Sequence, residues 1–434
     1  MDEEPGELWG LLPGYASDDD DASPAGADAD GDGELAGIAE DRLKDVLGLL
    51  GDRWIAKEFL PFEPITQSDA PSPRRPRLAG SWTAADQPTF RIRHIDAPIV
   101  LGTLAANGFH ETQSGNFTIQ WSGPRMTDDM YRFLEEHQKV NHFPGSTELT
   151  RKDRMWIHLH EMAHKFGKQV FNFVPETYVL PKQLDEFLRC YQRHPNYMWI
   201  VKPHASSRGR GIFMLRDIQE LSVEETMVVC RYVHNPLLIQ GLKFDLRVYV
   251  LVTSFSPLRA YVYREGLTRF ASKPYSTKKE HIQDLFRHLT NYSINKSAPN
   301  FVENREVAAD NVGHKWSFSA LTRHLRHTGV DTNLMWSRIN DLVVKTLLSA
   351  EPSISRKMRD LNMKHSSCFE LYGFDVLVDS KLKPWLLEVN LSPSMKADSP
   401  LDWQIKSSLL SDAFNLVGLA RPSPAAVAQR ALAQ

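Results

Sequence analysis

A mixed α/β (α+β) fold is predicted for this 434-residue chain from three observations. Helical and strand periodicities alternate from about residue 91 to residue 420, no internal repeat recurs, and hydrophobic residues at 42% are enough to bury a sizeable core. The length suits two or three folding units, or one large multi-lobed domain.

Residues 1–36 are rich in Asp, Ala, Gly and Pro and read as a disordered acidic tail. Within it Asp28 to Gly33 imitates the start of a calcium-binding loop. Ala39 stands where the bidentate carboxylate is required, so no calcium site is expected. Residues 37–90 read as a short amphipathic helix (Ile38, Leu43, Val46, Leu47, Leu50) and a Pro-rich linker or surface strap. In the domain at 91–420, helices are expected at 126–140, 150–166, 182–193, 314–328, 333–350 and 402–416. Strands are expected at 197–202, 211–215, 227–232, 244–253, 259–264, 371–378 and 384–390. Residues 421–434 read as a short tail.

Composition narrows the function classes. Three widely spaced cysteines exclude a disulfide scaffold and a Cys-based zinc module, and they fit a reducing compartment. No apolar run reaches membrane-spanning length, and the acidic N-terminus is unlike a signal or transit peptide, so a cytosolic location is expected. The formal charge of −3 hides a split. Residues 1–40 carry 13 acids and no Lys or Arg, leaving 51 bases against 41 acids behind them. A body of +10 behind a head of −13 points to an acidic partner.

Several motifs carry chemistry. His160-Glu161-Met162-Ala163-His164 matches the H-E-x-x-H pattern of zinc peptidases, with two imidazoles on one helix face, but no third ligand stands out downstream; Asp185 and Glu186 are the nearest candidates. The stretch from Lys202 to Gly211 is a Ser/Gly-rich loop between strands, where backbone amides can approach phosphate oxygens and Lys202 and Arg208 add charge. Val228 to Val233 offers a backbone edge suited to an adenine ring. Alternation puts Lys243, Asp245 and Arg247 on one strand face. A hairpin through residues 373–390 places Glu388 and Asn390 on one face with Asp375 opposite. Three oxygen donors among apolar residues suit a hard cation such as Mg²⁺; an ion pair with Lys202 or Arg247 could instead satisfy one carboxylate.

Taken together, Lys202-Pro203 with Ser206 to Gly209, Lys243 to Arg247, His288 to Ser293 and Glu388 to Ser394 resemble the tubulin–tyrosine-ligase-like family of ATP-grasp ligases, over about residues 91–420. Val140 to Gly145, Lys152 to Arg154 and Cys368 to Asp375 resemble its glutamylating branch. The resemblance implies an ATP-dependent ligase that joins free L-glutamate to γ-carboxylates of acidic tubulin tails through an acylphosphate. ATP would sit against Lys202, Arg208, Gly209, Cys230, Arg231, Tyr232, Val233, Lys243, Asp245, Thr290 and Asn291. Two Mg²⁺ would be held by Asp375, Glu388 and Asn390, and glutamate would meet Arg269, Tyr292, Ser293, Lys315 and Lys406. Several cations and hydroxyls are what an amino acid with two carboxylates requires. Lys202, Arg247 and Glu388 are the expected catalytic residues, and Glu370 is a loose candidate for the general base beside its simpler reading as a surface carboxylate.

The implied partners are tubulin or microtubules and free L-glutamate, with no nucleic acid or membrane. The chain is expected as a monomer in the cytoplasm and on the cytoskeleton, with the cilium or basal body as a further location. Leu391 after Asn390 is similar to members that start side chains. The basic extension common in this branch is replaced by an end at Gln434, so recruitment would fall to Arg74, Arg75 and Arg77 or to Arg151, Lys152 and Arg154. The acidic head could compete for the basic groove. Two rival readings are a zinc peptidase on the His160–His164 motif and a catalytically inactive microtubule-binding protein using its basic face.

Overall fold

The computed structural model describes residues 9–11 as backbone, and residues 62–66, 87–203, 209–222, 224–302, 304, 310–363 and 366–419 in full. The expected helix near residues 38–50, the 421–434 tail and Arg208 lie outside the described residues.

Within the stretch expected to be disordered, β1 (Trp9–Leu11) is a strand, a departure from the expectation. In the linker, Phe62 and Ile65 are buried, and the Asn415 side chain brackets the Phe62 backbone, accepting from its N–H at 2.8 Å and donating to its carbonyl at 3.1 Å. These residues lie as a strap against the body of the fold. A small parallel sheet follows, of β2 (Thr89–Arg93), β3 (His110–Glu111), β4 (Ile119–Ser122) and β5 (Lys139–Val140), in the order β3-β2-β4-β5, with α1 (Pro98–Ala106) connecting β2 to β3. Strands this short carry too few alternations to be read from sequence.

The helix expected over 126–140 is only α2 (Asp128–Arg132). Beyond it the chain turns, with the Gln138 side chain accepting from the Glu135 N–H at 3.1 Å, so that β5 can pair with β4. α3 (Thr147–Thr150) and α4 (Lys152–Phe166) come next, the latter stopping at Gly167 as expected. A second sheet, antiparallel, has the order β6-β9-β7-β8, from β6 (Thr177–Leu180), β7 (Trp199–Pro203), β8 (Phe213–Leu215) and β9 (Met227–Arg231). α5 (Leu184–Arg193) seals one face of it through Phe187, Trp199 and Val201.

The central sheet runs β1-β12-β11-β14-β15, all antiparallel, with β10 (Leu238–Ile239) on β11 and β13 (Lys315–Ser317) on β12. Its strands β11 (Leu242–Phe255), β12 (Leu258–Phe270), β14 (Glu370–Val378) and β15 (Pro384–Asn390) are long and mostly buried. Two short helices, α6 (Leu285–His288) and α7 (Tyr292–Asn295), lie between β12 and β13 in sequence. The expected helix over 314–328 divides: β13 is an edge strand, and Ser317 ends it by capping α8 (Phe318–His327), accepting from Ala320 N–H at 2.9 Å. α9 (Thr332–Asp360) continues through Pro352, ten residues beyond the expected end at 350. α10 (Pro400–Val417) closes the described fold against a left-handed Gly418.

Both faces of the central sheet are covered. Leu246, Val248 and Phe374 pack with Ile339, Leu342 and Val343 of α9. On the other face, Tyr249, Leu251 and Leu371 meet Leu409, Leu410 and Phe414 of α10, along with Val100, Leu104 and the Phe62 strap. The mixed α/β architecture is as predicted, with the second sheet placed beside the central one.

Candidate active site

A cavity that opens to solvent is lined by both sheets. β7 contributes Ile200 and Lys202, and the turn after it contributes Gly209 and Ile212. β9 and its exit contribute Cys230, Arg231, Tyr232 and Val233; β11 contributes Lys243 and Asp245; the loop between α6 and α7 contributes Thr290 and Asn291. Asp375 of β14 and Glu388 of β15 close the far end. Every residue expected at ATP therefore lines one cavity, apart from Arg208, which is outside the described residues. Gly209 has φ +75°, and a Cβ there would come within 2.5 Å of Ile294 and 3.3 Å of the Asn291 side-chain oxygen, so the loop's close approach requires glycine.

Lys243 is almost completely buried, and burial pushes its pKa down to about 7. Its ammonium donates to the Tyr232 hydroxyl at 3.0 Å and lies over that ring. The Tyr232 hydroxyl is 2.9 Å from His288 Nδ1, while His288 Nε2 faces the His281 carbonyl at 3.0 Å. A carbonyl can only accept, so Nε2 carries the proton and Nδ1 accepts from the tyrosine. Burial lowers the His288 pKa, in keeping with this neutral tautomer.

A chain of alternating charges leads out of the cavity. Asp245 and Arg269 are direct cross-strand partners, and Arg269 grips Asp245 with two bonds of 2.8 and 2.6 Å. Arg269 also reaches Asp375 at 2.9 Å. Arg247, directly opposite Asp375, donates two bonds to it at 2.6 and 3.2 Å. Burial favours the neutral form of Asp375, but Arg247 and Arg269 outweigh it and hold the carboxyl well below the usual range. Likewise burial works against the Arg269 charge, and Asp245 and Asp375 keep its pKa well above the ordinary arginine value. Gly373 makes this packing possible: a Cβ there would lie 2.9 Å from Pro393 and 3.0 Å from Arg247.

Glu388 stands opposite Asp375 in register, pairs with Lys152 of α4 at 3.0 Å, and is flanked by Asn390, whose amide donates to the Gly373 carbonyl at 3.1 Å. The ion-pair alternative thus accounts for both carboxylates, through Arg247, Arg269 and Lys152 rather than Lys202. Asp375, Glu388 and Asn390 still offer an all-oxygen donor set on adjoining strands, which fits a hard cation. Asp375 accepts three N–H bonds of about four a carboxylate can take. A cation would share Asp375 with the arginines and replace Lys152 at Glu388.

Beside this chain lies a second cluster. Lys315 and Lys406 converge on the buried Asp402, at 2.7 and 3.1 Å, and Lys315 sits over the Tyr292 ring, 4.3 Å from its centroid. Burial lowers the Lys406 pKa, with Asp402 opposing and Arg247 adding to the lowering, so the cluster feels the charge chain. Of the residues expected at glutamate, Tyr292, Lys315 and Lys406 come together here, while Arg269 is embedded in the charge chain. Ser293 follows Tyr292 in α7.

Sequence reasoning missed Lys152 as the partner of Glu388 and Asp402 as the anchor of two lysines. The Asp402/Lys406 spacing of four on a helix is the one local signal that could have found the latter. Glu370 is neither a surface carboxylate nor near the cavity: it is fully buried, paired with His142 at 2.6 Å, and bonded by Ser146, the Phe143 N–H and Tyr372. That corrects both readings of it. Of the basic residues considered for recruitment, Arg74, Arg75 and Arg77 lie outside the described residues, Lys152 pairs with Glu388, Arg151 pairs with Asp153, and Arg154 is exposed.

On α4 the His160 and His164 Nε2 atoms are 3.0 Å apart on a partly exposed face. Among the described residues no third His, Cys, Asp or Glu completes a metal-binding group with them. Neither lines the cavity. None of the described helices is long and apolar enough to cross a membrane.

A cavity between two antiparallel sheets, lined by lysines, a glycine turn and paired acids, defines a mixed α/β domain with a charged cleft, and comparison with known proteins gives its family. Residues 131–426 match the model of the tubulin-tyrosine ligase family, and the chain belongs to that family. It is 46% identical over 339 residues to the human protein named tubulin polyglutamylase TTLL5, covering 78% of this chain and 26% of that one. It is 41% identical over 334 residues to mouse tubulin monoglutamylase TTLL4 (77% and 28%) and 40% identical over 343 residues to Caenorhabditis elegans tubulin polyglutamylase ttll-5 (76% and 47%). The chain thus spans about a quarter to a half of these relatives' lengths.

Proposed function

We propose that the chain is an ATP-dependent glutamate ligase of the ATP-grasp type that adds free L-glutamate to γ-carboxylates in acidic tubulin tails. The observation that carries this reading is the continuity of the Asp245–Arg269–Asp375–Arg247 chain, which runs from the nucleotide cavity toward Lys315 and Lys406. The relatives' names, polyglutamylase and monoglutamylase of tubulin, support the substrate pair.

A carboxylate is a poor electrophile, so the acceptor γ-carboxylate first takes the γ-phosphoryl group of ATP, giving an acylphosphate and ADP. The glutamate α-amine then attacks the acyl carbon, phosphate leaves, and the amine gives up its proton as the amide forms. Lys202 and Lys243 neutralise phosphate oxygens, and Cys230 to Val233 hold the base. Arg247 faces the charge that develops between acceptor and phosphate. Two Mg²⁺, held by Asp375, Glu388 and Asn390, would supply charge neutralisation across the phosphates. Lys315, Lys406 and Tyr292, with Ser293 beside them, hold the incoming amino acid. Leu391 supports initiation of side chains rather than their elongation.

The test is ATP-dependent transfer of [³H]glutamate to microtubules by wild type and Glu388→Gln protein. Incorporation by the wild type alone is expected, and equal absence from both would sink the proposal. Mass spectrometry of the tail should show single added glutamates; only long chains on pre-modified tails would overturn initiation. The competing peptidase reading gains nothing from the two-histidine geometry on α4.

A further inference from the structure

The Lys315–Asp402–Lys406 cluster differs from the charge chain beside it in its charge count. In the chain, Arg247 and Arg269 are matched by Asp245 and Asp375. In the cluster two ammonium groups share one enclosed carboxylate, with Lys315 11%, Lys406 5% and Asp402 1% exposed at the side chain, while Asp398, which also acts on Lys406, is exposed to solvent. A cation enclosed without a full counter-charge is costly, and a second anion would relieve it.

Asp402 is also fixed before any anion arrives. It sits in the first turn of α10, where the Ser399 hydroxyl accepts from its backbone N–H at 3.2 Å and donates to its Oδ2 at 3.0 Å. One oxygen faces Lys315 and the other Lys406. The two lysines come from β13 and α10, 91 positions apart in sequence, so no local geometry brings them together. Lys406 is held further by the Lys396 carbonyl, and Lys315 by the Tyr292 ring.

We infer that Asp402 is a positioning residue: it draws Lys315 and Lys406 into a receptor for one carboxylate of the incoming amino acid, and thereby sets the preference for an acidic amino acid over its neutral amide. This rests on the ligase reading above. With Asp402 bound to both lysines, the net charge of the cluster is +1, enough for a single carboxylate. Without Asp402 the ammonium groups repel each other and lose their common orientation.

The experiment combines steady-state transfer to a tubulin-tail peptide with equilibrium dialysis of [³H]glutamate against full-length protein. Asp402→Asn should raise the KM for glutamate at least tenfold, reduce kcat less, leave the KM for ATP within twofold, and narrow discrimination against free glutamine. Asp402→Glu should recover part of the loss. Because Asp402 is buried, Lys315→Gln serves as a second variant: it leaves a matched Asp402–Lys406 pair, and should weaken glutamate binding without lowering the melting temperature. An unchanged glutamate KM in Asp402→Asn, with only kcat or melting temperature reduced, would overturn the inference and leave the ligase reading intact. Glutamate binding that Asp402→Asn weakens, in a wild type that transfers nothing to tubulin, would keep the inference and overturn the ligase reading. A wild type that neither binds nor transfers glutamate would remove both.

Discussion

Strand β14 presents two buried carboxylates, Glu370 and Asp375, on opposite faces, and they have different surroundings. Glu370 is enclosed by neutral donors and one imidazole. His142 directs Nδ1 at Glu370 and Nε2 at the Ser122 carbonyl, 2.9 Å away, an arrangement that favours the imidazolium form. Burial disfavours that charge, but Glu370 outweighs it and raises the His142 pKa. Ser146, Phe143 N–H and Tyr372 complete the shell, and nothing is left for a ligand. Asp375 is instead held by two guanidiniums at the edge of a cavity, next to a second carboxylate. A saturated carboxylate stabilises a fold; one that borders open volume can take part in chemistry.

The sharpest test of this contrast is Glu388→Gln. Transfer should fall on the order of 10³-fold, because an electrostatic group at the reacting centre is lost. Glu388 is 22% exposed on its side chain, so the melting temperature should hardly move. Glu370→Ala should show the reverse pattern. Removing one partner of a buried pair costs about 3–5 kcal/mol, read from denaturant unfolding, while kcat per folded molecule stays within a few-fold. A Glu370 variant with normal unfolding and lost transfer would break the comparison.

Two pH measurements carry smaller effects. Lys243 titrates at about 7, so nucleotide binding, which favours its ammonium form, should weaken above that pH. A decline of about threefold to tenfold in ATP affinity between pH 7 and 8.5 is expected, one proton giving at most tenfold per unit. Lys243→Arg should flatten it. His142 gives the smallest effect. Its pKa is raised in the folded state, so its stabilisation is complete below the unfolded value near 6.5 and is lost as pH rises through the folded one. The unfolding midpoint should therefore slip above neutrality in wild type and not in His142→Gln. An opposite slope would show that the ring is neutral when folded.

How far the sequence discloses these two faces depends on distance along the chain. The hairpin bearing Asp375, Glu388 and Asn390 was legible because its acids alternate with apolar residues over a short span, and β15 matches its expected range. The residues expected at ATP were read through motifs, and all but Arg208, outside the described residues, line one cavity. The partners were not: Lys152 is 236 positions from Glu388, and His142 is 228 from Glu370. No periodicity connects such pairs, so Glu370 looked like a surface acid and Lys152 went unseen beside Glu388. Ser317 was hidden for another reason, since one residue serves as strand end and helix cap and blurs two periods into one.

The Phe62 strap has a consequence for where this protein can be cut. The family match begins at residue 131, yet Phe62 packs against Phe414 with ring centroids 5.1 Å apart, and Trp121 meets the same ring edge-on. Ser122 receives the bonds of Asn141 and His142 on which the saturated face of β14 depends. A fragment that starts at residue 131 would strip one wall from α10, the helix that carries Asp402 and Lys406. The span of the family match and the unit of folding do not coincide, and a truncation guided by the first would dismantle the second.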